Sequence, residues 1–214
     1  MTIEYKTLLL KIINVNHKIE FTFDSSSSII HMIITRASTA EEIAGIKQLQ
    51  NKNLKSNLAS IEIEQQGFVT AEYSIEFLTE MNTIEPAIIA KDGDKIAGYA
   101  LVATKAIIGK HDLLDGLFNS INKIKYKGQL LAETNYVLVG QLCVGKTYRG
   151  QGLVQQLYQF FKASLHQKYT YCLTDVDENN PRSVKAHLKT GFNILDTFNY
   201  GNSNWHIIIW DWSE

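Results

Sequence analysis

A short glycine-bearing segment of this chain has the residue types and spacing to bind an anion. It reads Arg149-Gly150-Gln151-Gly152-Leu153, follows the apolar run Tyr136–Val144 and leads into a stretch with helical spacing. Backbone amides at a helix start have no partners within the helix and lie at the positive end of its dipole. The glycines let a bulky phosphate group approach these amides, and Arg149 adds a planar cation. The segment therefore predicts a phosphate site, although a plain strand-to-helix turn would use the same glycines.

Two common nucleotide-binding patterns fit this segment less well. The dinucleotide fingerprint requires a third glycine, and the chain has Gln155 at that position. A P-loop requires Lys and then Ser or Thr after its last glycine, but Gly152 is followed by Leu153 and Val154. These departures weaken the predictions of NAD and of ATP as ligands.

The elements that must position this segment are strands and helices of ordinary length. A turn at Asp92-Gly93-Asp94 predicts a hairpin, the spacing of Ser38 and Glu41 is that of a capping box that begins a helix, and Gly191 is placed to end the last helix. The predicted strands are 33–36, 87–90, 95–103, 136–144, 169–176, 192–198 and 205–212, and the predicted helices are 38–50, 74–81, 112–124, 152–167 and 182–189. The strand, helix and strand around Gly152 favour an α/β domain.

The N-terminal residues precede this regular order. The strand-prone stretches 7–15 and 18–23 flank Asn16-His17, and a polar break of Asp24 and four serines follows. We therefore predict an N-terminal extension over residues 1–32, either a hairpin or flexible, and one domain over residues 33–214. A chain of 214 residues with 45% hydrophobic side chains suits one large domain.

Composition and charge exclude several classes of function. The 21 Lys and Arg nearly balance the 22 Asp and Glu, so the net charge is -1 and no strong field attracts nucleic acid. No apolar run approaches the roughly 20 residues of a membrane span, and we find no export signal. Cys143 and Cys172 lie in apolar runs, as free cysteines of a reducing compartment do, and we expect a cytoplasmic protein. The histidines have no metal-ligand spacing, so we predict no metal.

Two ordered stretches resemble the motifs of one enzyme family. The run Gln141-Leu142-Cys143-Val144, leading to Tyr148-Arg149-Gly150-Gln151-Gly152-Leu153, is similar to the acetyl-CoA motif of the GNAT acyltransferases. That motif reads Arg or Gln, two residues, Gly, any residue, then Gly or Ala. Arg149 and Gly152 match it, and Val154 departs from it at the final small position. The family's downstream motif resembles Asn180, Ser183, Val184, Ala186, His187 and Gly191-Phe192.

The resemblance implies a fold and a set of contacts with acetyl-CoA. The fold is α/β (α+β), with a mixed, mostly antiparallel central sheet flanked by helices. In this family the strand before the turn splays from its neighbour and holds the pantetheine arm. The residues implied in binding are Leu142, Cys143 and Val144 for that arm, Gly150, Gln151, Gly152 and Leu153 for the pyrophosphate, Arg149 and Val154 beside it, and Asn180 and Ser183 near the thioester. Asn180 is equally suited to cap a helix.

The resemblance also implies N-acetyl transfer by direct attack of an amine on the thioester in a ternary complex. The amide of Val144 would stabilise the oxyanion. His187, at a position where the family often has tyrosine, would protonate the thiolate, which an unperturbed histidine pKa of about 6.5 permits. The candidate bases, among which spacing does not choose, are Glu133, Asp175, Asp177 and Glu178. The alternative is that no dedicated base exists and water relays the proton.

The expected partner is a small-molecule amine, with a peptide amine as the second choice, and neither nucleic acid nor a membrane. The sequence does not decide whether the protein forms a homodimer. A non-catalytic module that binds acyl-CoA is the alternative function, because the family's tyrosine is replaced and no base is identified. A phosphate-binding turn unrelated to CoA is the third hypothesis.

Overall fold

The computed structural model describes residues 18–25, 28–200 and 203–213 of the chain. The strands within these ranges are β1 (Ile19–Ser25), β2 (Ser28–Arg36), β3 (Ile88–Asp92), β4 (Lys95–Ala103), β5 (Lys125–Tyr126), β6 (Gln129–Leu130), β7 (Tyr136–Val144), β8 (Tyr171–Asp177), β9 (Asn193–Tyr200) and β10 (Ser203–Asp211). The α-helices are α1 (Ala40–Asn53), α2 (Ser60–Gln66), α3 (Ile75–Ile84), α4 (Asp112–Ile121), α5 (Leu153–Leu165) and α6 (Pro181–Thr190).

The central sheet has eight strands in the order β1-β2-β3-β4-β7-β8-β10-β9. Neighbouring strands are antiparallel, except that β7 and β8 are parallel. A parallel pair needs a crossover connection, and α5 supplies it. The predicted fold class, a mixed and mostly antiparallel sheet flanked by helices, is confirmed.

Helices cover both faces of the sheet because its central strands are apolar on both sides. In β4, Tyr99 and Leu101 pack with α1, α3 and α4, whereas Ala100 and Val102 pack with α5 on the opposite face. This alternation is the two-residue period of a strand. β7 is buried on both faces in the same way, as predicted.

The N-terminal part of the sheet differs from the sequence prediction. The predicted polar break at residues 24–28 contains the end of β1 and the start of β2, which pair from Ser25 with Ser28 to Ile19 with Ile34. β2 runs across residue 32, so the predicted short strand 33–36 is its second half. Serine runs resemble linkers by composition, but pairing with β1 continues β2 back to Ser28, and pairing with β3 joins Met32 of β2 to Asp92. The predicted strand 7–15 lies outside the described residues.

The first helix begins one residue later than predicted. Thr39, and not Ser38, is the N-cap, and its side chain accepts a hydrogen bond from the Glu42 backbone N–H. The Glu42 carboxylate accepts in return from the Thr39 backbone N–H. The sequence contains two overlapping capping boxes, and local spacing did not choose between them.

Most other elements lie where the sequence predicts them. The β3–β4 hairpin turns at Gly93-Asp94, with Asp92 paired with Lys95. The predicted helix 112–124 ends at Ile121, because residues 125–130 form the β5–β6 hairpin around Lys127 and Gly128, whose φ angles are 49° and 86°. α2 was not predicted.

No helix among the described residues is long and apolar enough to cross a membrane. Within those same ranges, no group of three or more His, Cys, Asp and Glu side chains could hold a metal ion.

Candidate active site

The two parallel strands at the centre of the sheet separate toward their C-terminal ends. β7 and β8 pair only from Tyr136 with Tyr171 to Leu138 with Leu173. The Thr174 hydroxyl then donates a 2.8 Å hydrogen bond to the Val139 carbonyl. Beyond this point β7 continues to Val144 with no strand partner on that side among the described residues, and a gap opens between the strands.

An extra residue in β7 lies at the start of this gap. Leu101 pairs with Gln141 and Val102 pairs with Val139, so Gly140 has no partner of its own in β4. Such a bulge bends a strand and increases its twist. The carbonyl of Gly140 accepts a 3.1 Å hydrogen bond from the Tyr73 hydroxyl.

Alternate backbone groups of β7 face the gap. Gly145 N–H donates to the Ala97 carbonyl at 2.8 Å, and hydrogen-bonded and non-bonded pairs alternate along an antiparallel ladder. Leu142 and Val144 therefore direct their backbone groups away from β4 and into the gap, whereas Cys143 bonds with β4. The Val144 carbonyl accepts from Arg149 Nε at 3.0 Å.

The glycine-bearing turn is open toward the gap. Gly150 and Gly152 both have φ of +78°, and a Cβ built at either position would meet no atom within 4 Å. Gly152 is the N-cap of α5, which has no side-chain cap. The first amides of α5 therefore have no side-chain cap, and the glycines beside them leave room for a ligand.

A cleft of about 480 Å³ joins this turn to the gap, and we call it the turn cleft. Its lining includes the predicted residues Leu142, Cys143, Val144, Arg149, Gly150, Gly152, Leu153, Val154, Asn180, Ser183 and His187. Its charged side chains are all cationic: Arg149, Arg182, Lys185 and Lys189, and none of its described lining residues is Asp or Glu. Gln151 does not line it, and its Nε2 donates to the Thr147 carbonyl at 3.0 Å. An extended anionic ligand fits the chemistry of this cleft.

Arg149 and Asn180 both hold protein segments in place. The Arg149 guanidinium bonds Val144 and the Asn53 side chain, which fixes the turn against β7 and α1. Asn180 Oδ1 accepts from the Ser183 backbone N–H at 3.3 Å, so Asn180 caps α6. Its Nδ2 donates to the Phe68 carbonyl at 3.1 Å. Both groups of the Asn180 amide therefore have protein partners, as the capping interpretation requires.

A second space of about 360 Å³ lies between α4 and the end of β8, and we call it the α4 cavity. The two spaces share lining residues at the mouth of the gap: Phe68, Val69, Leu142, Asn180, Ser183 and His187. A ligand in the turn cleft can therefore present one end to a molecule in the α4 cavity.

Among the candidate bases, the structure brings two to the α4 cavity. Asp177 is 3% exposed and lies 3.7 Å from Lys55 Nζ. Asp175 has no ion pair with any described residue, and burial raises the pKa of its carboxyl to about 6. Glu133 and Glu178 line neither space. Asp175 is thus the carboxylate with the environment of a general base.

His187 lies where the two spaces meet, and its ring is 6% exposed. Its Nδ1 is 2.7 Å from the Ser183 carbonyl oxygen, which can only accept, so Nδ1 carries the proton and Nε2 has a lone pair. Burial lowers the pKa of His187 to about 4. The imidazole is therefore neutral near pH 7, and its one N–H is bonded to Ser183. This geometry does not offer the donor that a simple general-acid role requires.

The chain has the sequence pattern of a known family over most of its length. The model of the family described as "Acetyltransferase (GNAT) family" matches residues 52–192. The chain belongs to the GNAT family. It is thus a GNAT-type N-acetyltransferase, as the motifs predicted. No curated protein sequence matches this GNAT chain significantly.

Solved structures of acetyltransferases share its fold. The ribosomal-protein-S18-alanine N-acetyltransferase of Escherichia coli is 14% identical with a TM-score of 0.57, over 86% of this chain and 95% of that one. yncA of Salmonella typhimurium, solved with its cofactor acetyl-CoA, is 13% identical with a TM-score of 0.56, over 86% and 95%. A chain of the NatC complex bound to Gag peptide and CoA is 13% identical with a TM-score of 0.56, over 84% and 98%.

Sequence reasoning missed a polar network beneath the gap. The Gln141 side chain accepts from Tyr99 Oη at 2.5 Å and from Gln50 Nε2 at 3.1 Å, and donates to the Ala71 carbonyl at 2.8 Å. Gln50 Oε1 accepts from the Tyr73 backbone N–H at 3.0 Å. The network fixes residues 71–73, a wall of the α4 cavity, to β7. Its members lie far apart in the sequence, so no local spacing could reveal it.

Proposed function

We propose that this protein transfers the acetyl group of acetyl-CoA to the amine of a small molecule. The observation that carries the proposal is the junction of two spaces of opposite charge at the gap between β7 and β8. The turn cleft carries cations, the α4 cavity carries carboxylates, and Leu142, Ser183 and His187 line both.

The turn cleft suits acetyl-CoA, whose thioester is the acetyl donor. The amides at the start of α5 and the open positions beside Gly150 and Gly152 suit its pyrophosphate. The backbone groups of Leu142 and Val144 that face the gap suit the pantetheine arm, which would pair with β7 as an additional strand does. Arg149 adds charge and also holds the turn in shape.

Asp175 is our proposed general base. Its carboxylate form prevails above pH 6, and it accepts a proton from the protonated amine that enters the α4 cavity. The neutral nitrogen then attacks the thioester carbonyl carbon, the new C–N bond forms and the C–S bond breaks. The nitrogen loses one further proton and the departing sulfur gains one, so the products are an amide and a thiol.

His187 is our proposed carrier of that second proton. Because Nδ1–H is bonded to Ser183 O, Nε2 can accept the proton from nitrogen and pass it to sulfur. A pKa of about 4 makes the protonated ring a strong donor. This role differs from that of a general acid that gives its own N–H proton to the thiolate, because that N–H is bonded to Ser183.

The backbone amides that face the gap can stabilise the negative charge on the carbonyl oxygen. Val144 is the residue that the family resemblance indicates. Leu142 is the one that lines both spaces, and its amide faces the gap in the same way. We therefore propose Leu142 as the principal donor, with Val144 two residues further along the pantetheine arm.

Peptide amines remain the second choice of acceptor. We propose a cytoplasmic setting, which the two free and buried cysteines support. A module that binds acyl-CoA without turnover is the alternative, and the bonding of the His187 N–H to Ser183 favours it.

A thermal-shift measurement with acetyl-CoA, CoA, ATP and NAD tests the ligand. At a concentration about 100 times the dissociation constant, a ligand adds about 2.7 kcal/mol, which raises the Tm of a chain of this size by about 5–10 °C. We expect this rise with acetyl-CoA and CoA only. An equal rise with ATP or NAD would overturn the assignment. Release of thiol on addition of amines then separates the enzyme from the binding module, which would show the thermal shift and no release.

A further inference from the structure

The α4 cavity is acidic in a protein whose net charge is only -1. Three carboxylates line it, from Asp112, Asp175 and Asp177, and its described lining residues include no Lys or Arg. Asp177 has Lys55 at 3.7 Å and accepts from the Asn179 backbone N–H at 2.9 Å. Asp112 and Asp175 have no ion pair with the described residues. Two negative charges of the cavity are thus left without a cation from the described residues.

The two uncompensated carboxylates lie on different elements. Asp175 is on β8 beside the gap and is partly buried. Asp112 is the first residue of α4 and is exposed. The α4 face that follows it into the cavity carries Leu113 and Leu117, and Phe198 of β9 also lines the cavity. The wall therefore combines a partly buried carboxylate, apolar surface and an exposed carboxylate.

The chemistry of this wall determines which groups on an acceptor it can bind. One amine of the acceptor must lose a proton to react, and Asp175 takes it. A second cationic group on the same molecule stays charged, and a carboxylate without a partner stabilises it. A carboxylate on the acceptor would instead be repelled by Asp112, Asp175 and Asp177.

We infer that the acceptor is a small amine that carries a second cationic group, held by Asp112, on an apolar spacer. This inference rests on the proposed function and names the class of substrate for the same site. Asp112 is then a residue that determines specificity, and amino acids with a free carboxylate are poor acceptors.

Three amines with chains of equal length test the inference. They are 1,4-diaminobutane, butylamine and 4-aminobutanoate, whose distal groups are cationic, apolar and anionic, and the readout is thiol release from acetyl-CoA. We expect kcat/KM for the diamine to exceed that for butylamine about fivefold or more, as an exposed ion pair permits, with 4-aminobutanoate the poorest. In Asp112→Asn, the ratio of diamine to butylamine should fall to about one, through a higher KM for the diamine.

Asp115→Asn is the matched control. Asp115 lies on the same helix, does not line the cavity, and accepts from the Gly109 backbone N–H at 2.8 Å, which asparagine oxygen can also do. This variant should keep the diamine preference. A wild-type protein that acetylates butylamine as well as the diamine, or a preference that survives Asp112→Asn, would overturn the inference alone. Failure to bind acetyl-CoA would overturn the proposed function and the inference with it.

Discussion

The acid-base chemistry proposed for this site depends on two side chains, Asp175 and His187. Burial raises the pKa of Asp175 to about 6, close to the pH at which an enzyme must remove a proton from an amine. Burial also lowers the pKa of His187 to about 4. The order of the two pKa values is thus reversed from the ordinary one, in which aspartate titrates near 3.9 and histidine near 6.5. A base and a neutral proton carrier result.

We predict that kcat/KM rises with pH through a step near 6, as Asp175 loses its proton. In Asp175→Asn this step should vanish, and kcat/KM should fall about 100-fold or more at pH 7.5. Acetyl-CoA binding should be retained, because Asp175 does not line the turn cleft. Glu178→Gln is the control, since Glu178 lines neither space and accepts from Asn204 Nδ2 at 2.9 Å. A pH step that persists in Asp175→Asn would contradict the assignment of the base.

The same variant has a predicted effect on stability. Because the folded-state pKa of Asp175 lies above its unfolded value of about 3.9, ionisation costs stability as the pH rises from 4 to 6, and the full cost remains above 6. Asp175→Asn should therefore gain on the order of 2–3 kcal/mol relative to wild type well above pH 6, and little at pH 4. Urea denaturation at both pH values measures this, and a gain that does not depend on pH would contradict it.

At the scale of elements, the turn into α5 depends on backbone conformation. Gly152 has φ of +78°, lines the turn cleft, and has no protein atom within 4 Å of a Cβ built on it. We predict that Gly152→Ala costs about 1 kcal/mol of stability, since alanine disfavours positive φ. It should also weaken acetyl-CoA binding about tenfold or more, because the methyl group occupies space needed by the ligand. Isothermal titration measures the affinity.

Gly93→Ala is the control that separates the loss of stability from the loss of acetyl-CoA affinity. Gly93 also has positive φ, +58°, and open space around a built Cβ, but it lies in the β3–β4 hairpin and lines neither space. Its stability loss should resemble that of Gly152→Ala, whereas acetyl-CoA affinity should stay at the wild-type value. Equal loss of affinity in both variants would show that the effect arises from destabilisation and not from the turn.

Sequence reasoning identified these elements where the signal is local. β7 has the predicted bounds because its apolar run is bounded by Asn135 on one side and by Gly145 and Lys146 on the other, and α5 begins beside the predicted glycines. The polar stretch 24–28 predicts a break, because composition alone does not show that β1 and β2 pair as far as Ser25 with Ser28. The choice between Thr39 and Ser38 as cap was not decided by their equal spacing to Glu42 and Glu41, and the proposal of Asp175 over three other acids depends on burial that arises only in the folded chain.

At the scale of the whole molecule, overall charge conceals a separation of charge. The chain has 21 basic and 22 acidic residues, yet the charged residues of the turn cleft are cations and those of the α4 cavity are carboxylates. Sequence spacing indicated only Arg149 as a cation of the turn cleft. Arg182, Lys185 and Lys189 line the cleft because of the orientation of α6, which the sequence does not show. The balanced composition thus excludes a long-range electrostatic field that would attract nucleic acid. It does not reveal the local electrostatic fields that orient two substrates within one site.

This separation predicts different salt dependence for two acetyl donors. Acetyl-CoA carries phosphates toward the cations of the turn cleft, and salt screens such exposed charges. We expect its KM to rise about three- to tenfold between 50 mM and 500 mM KCl, because the Debye length falls from about 14 Å to about 4 Å. Acetyl-pantetheine lacks the phosphates, so its KM, although higher, should change less than twofold. If salt raised the KM of both donors by the same factor, the effect would not arise from the phosphates of acetyl-CoA. The cations of α6 would then contribute nothing to phosphate binding.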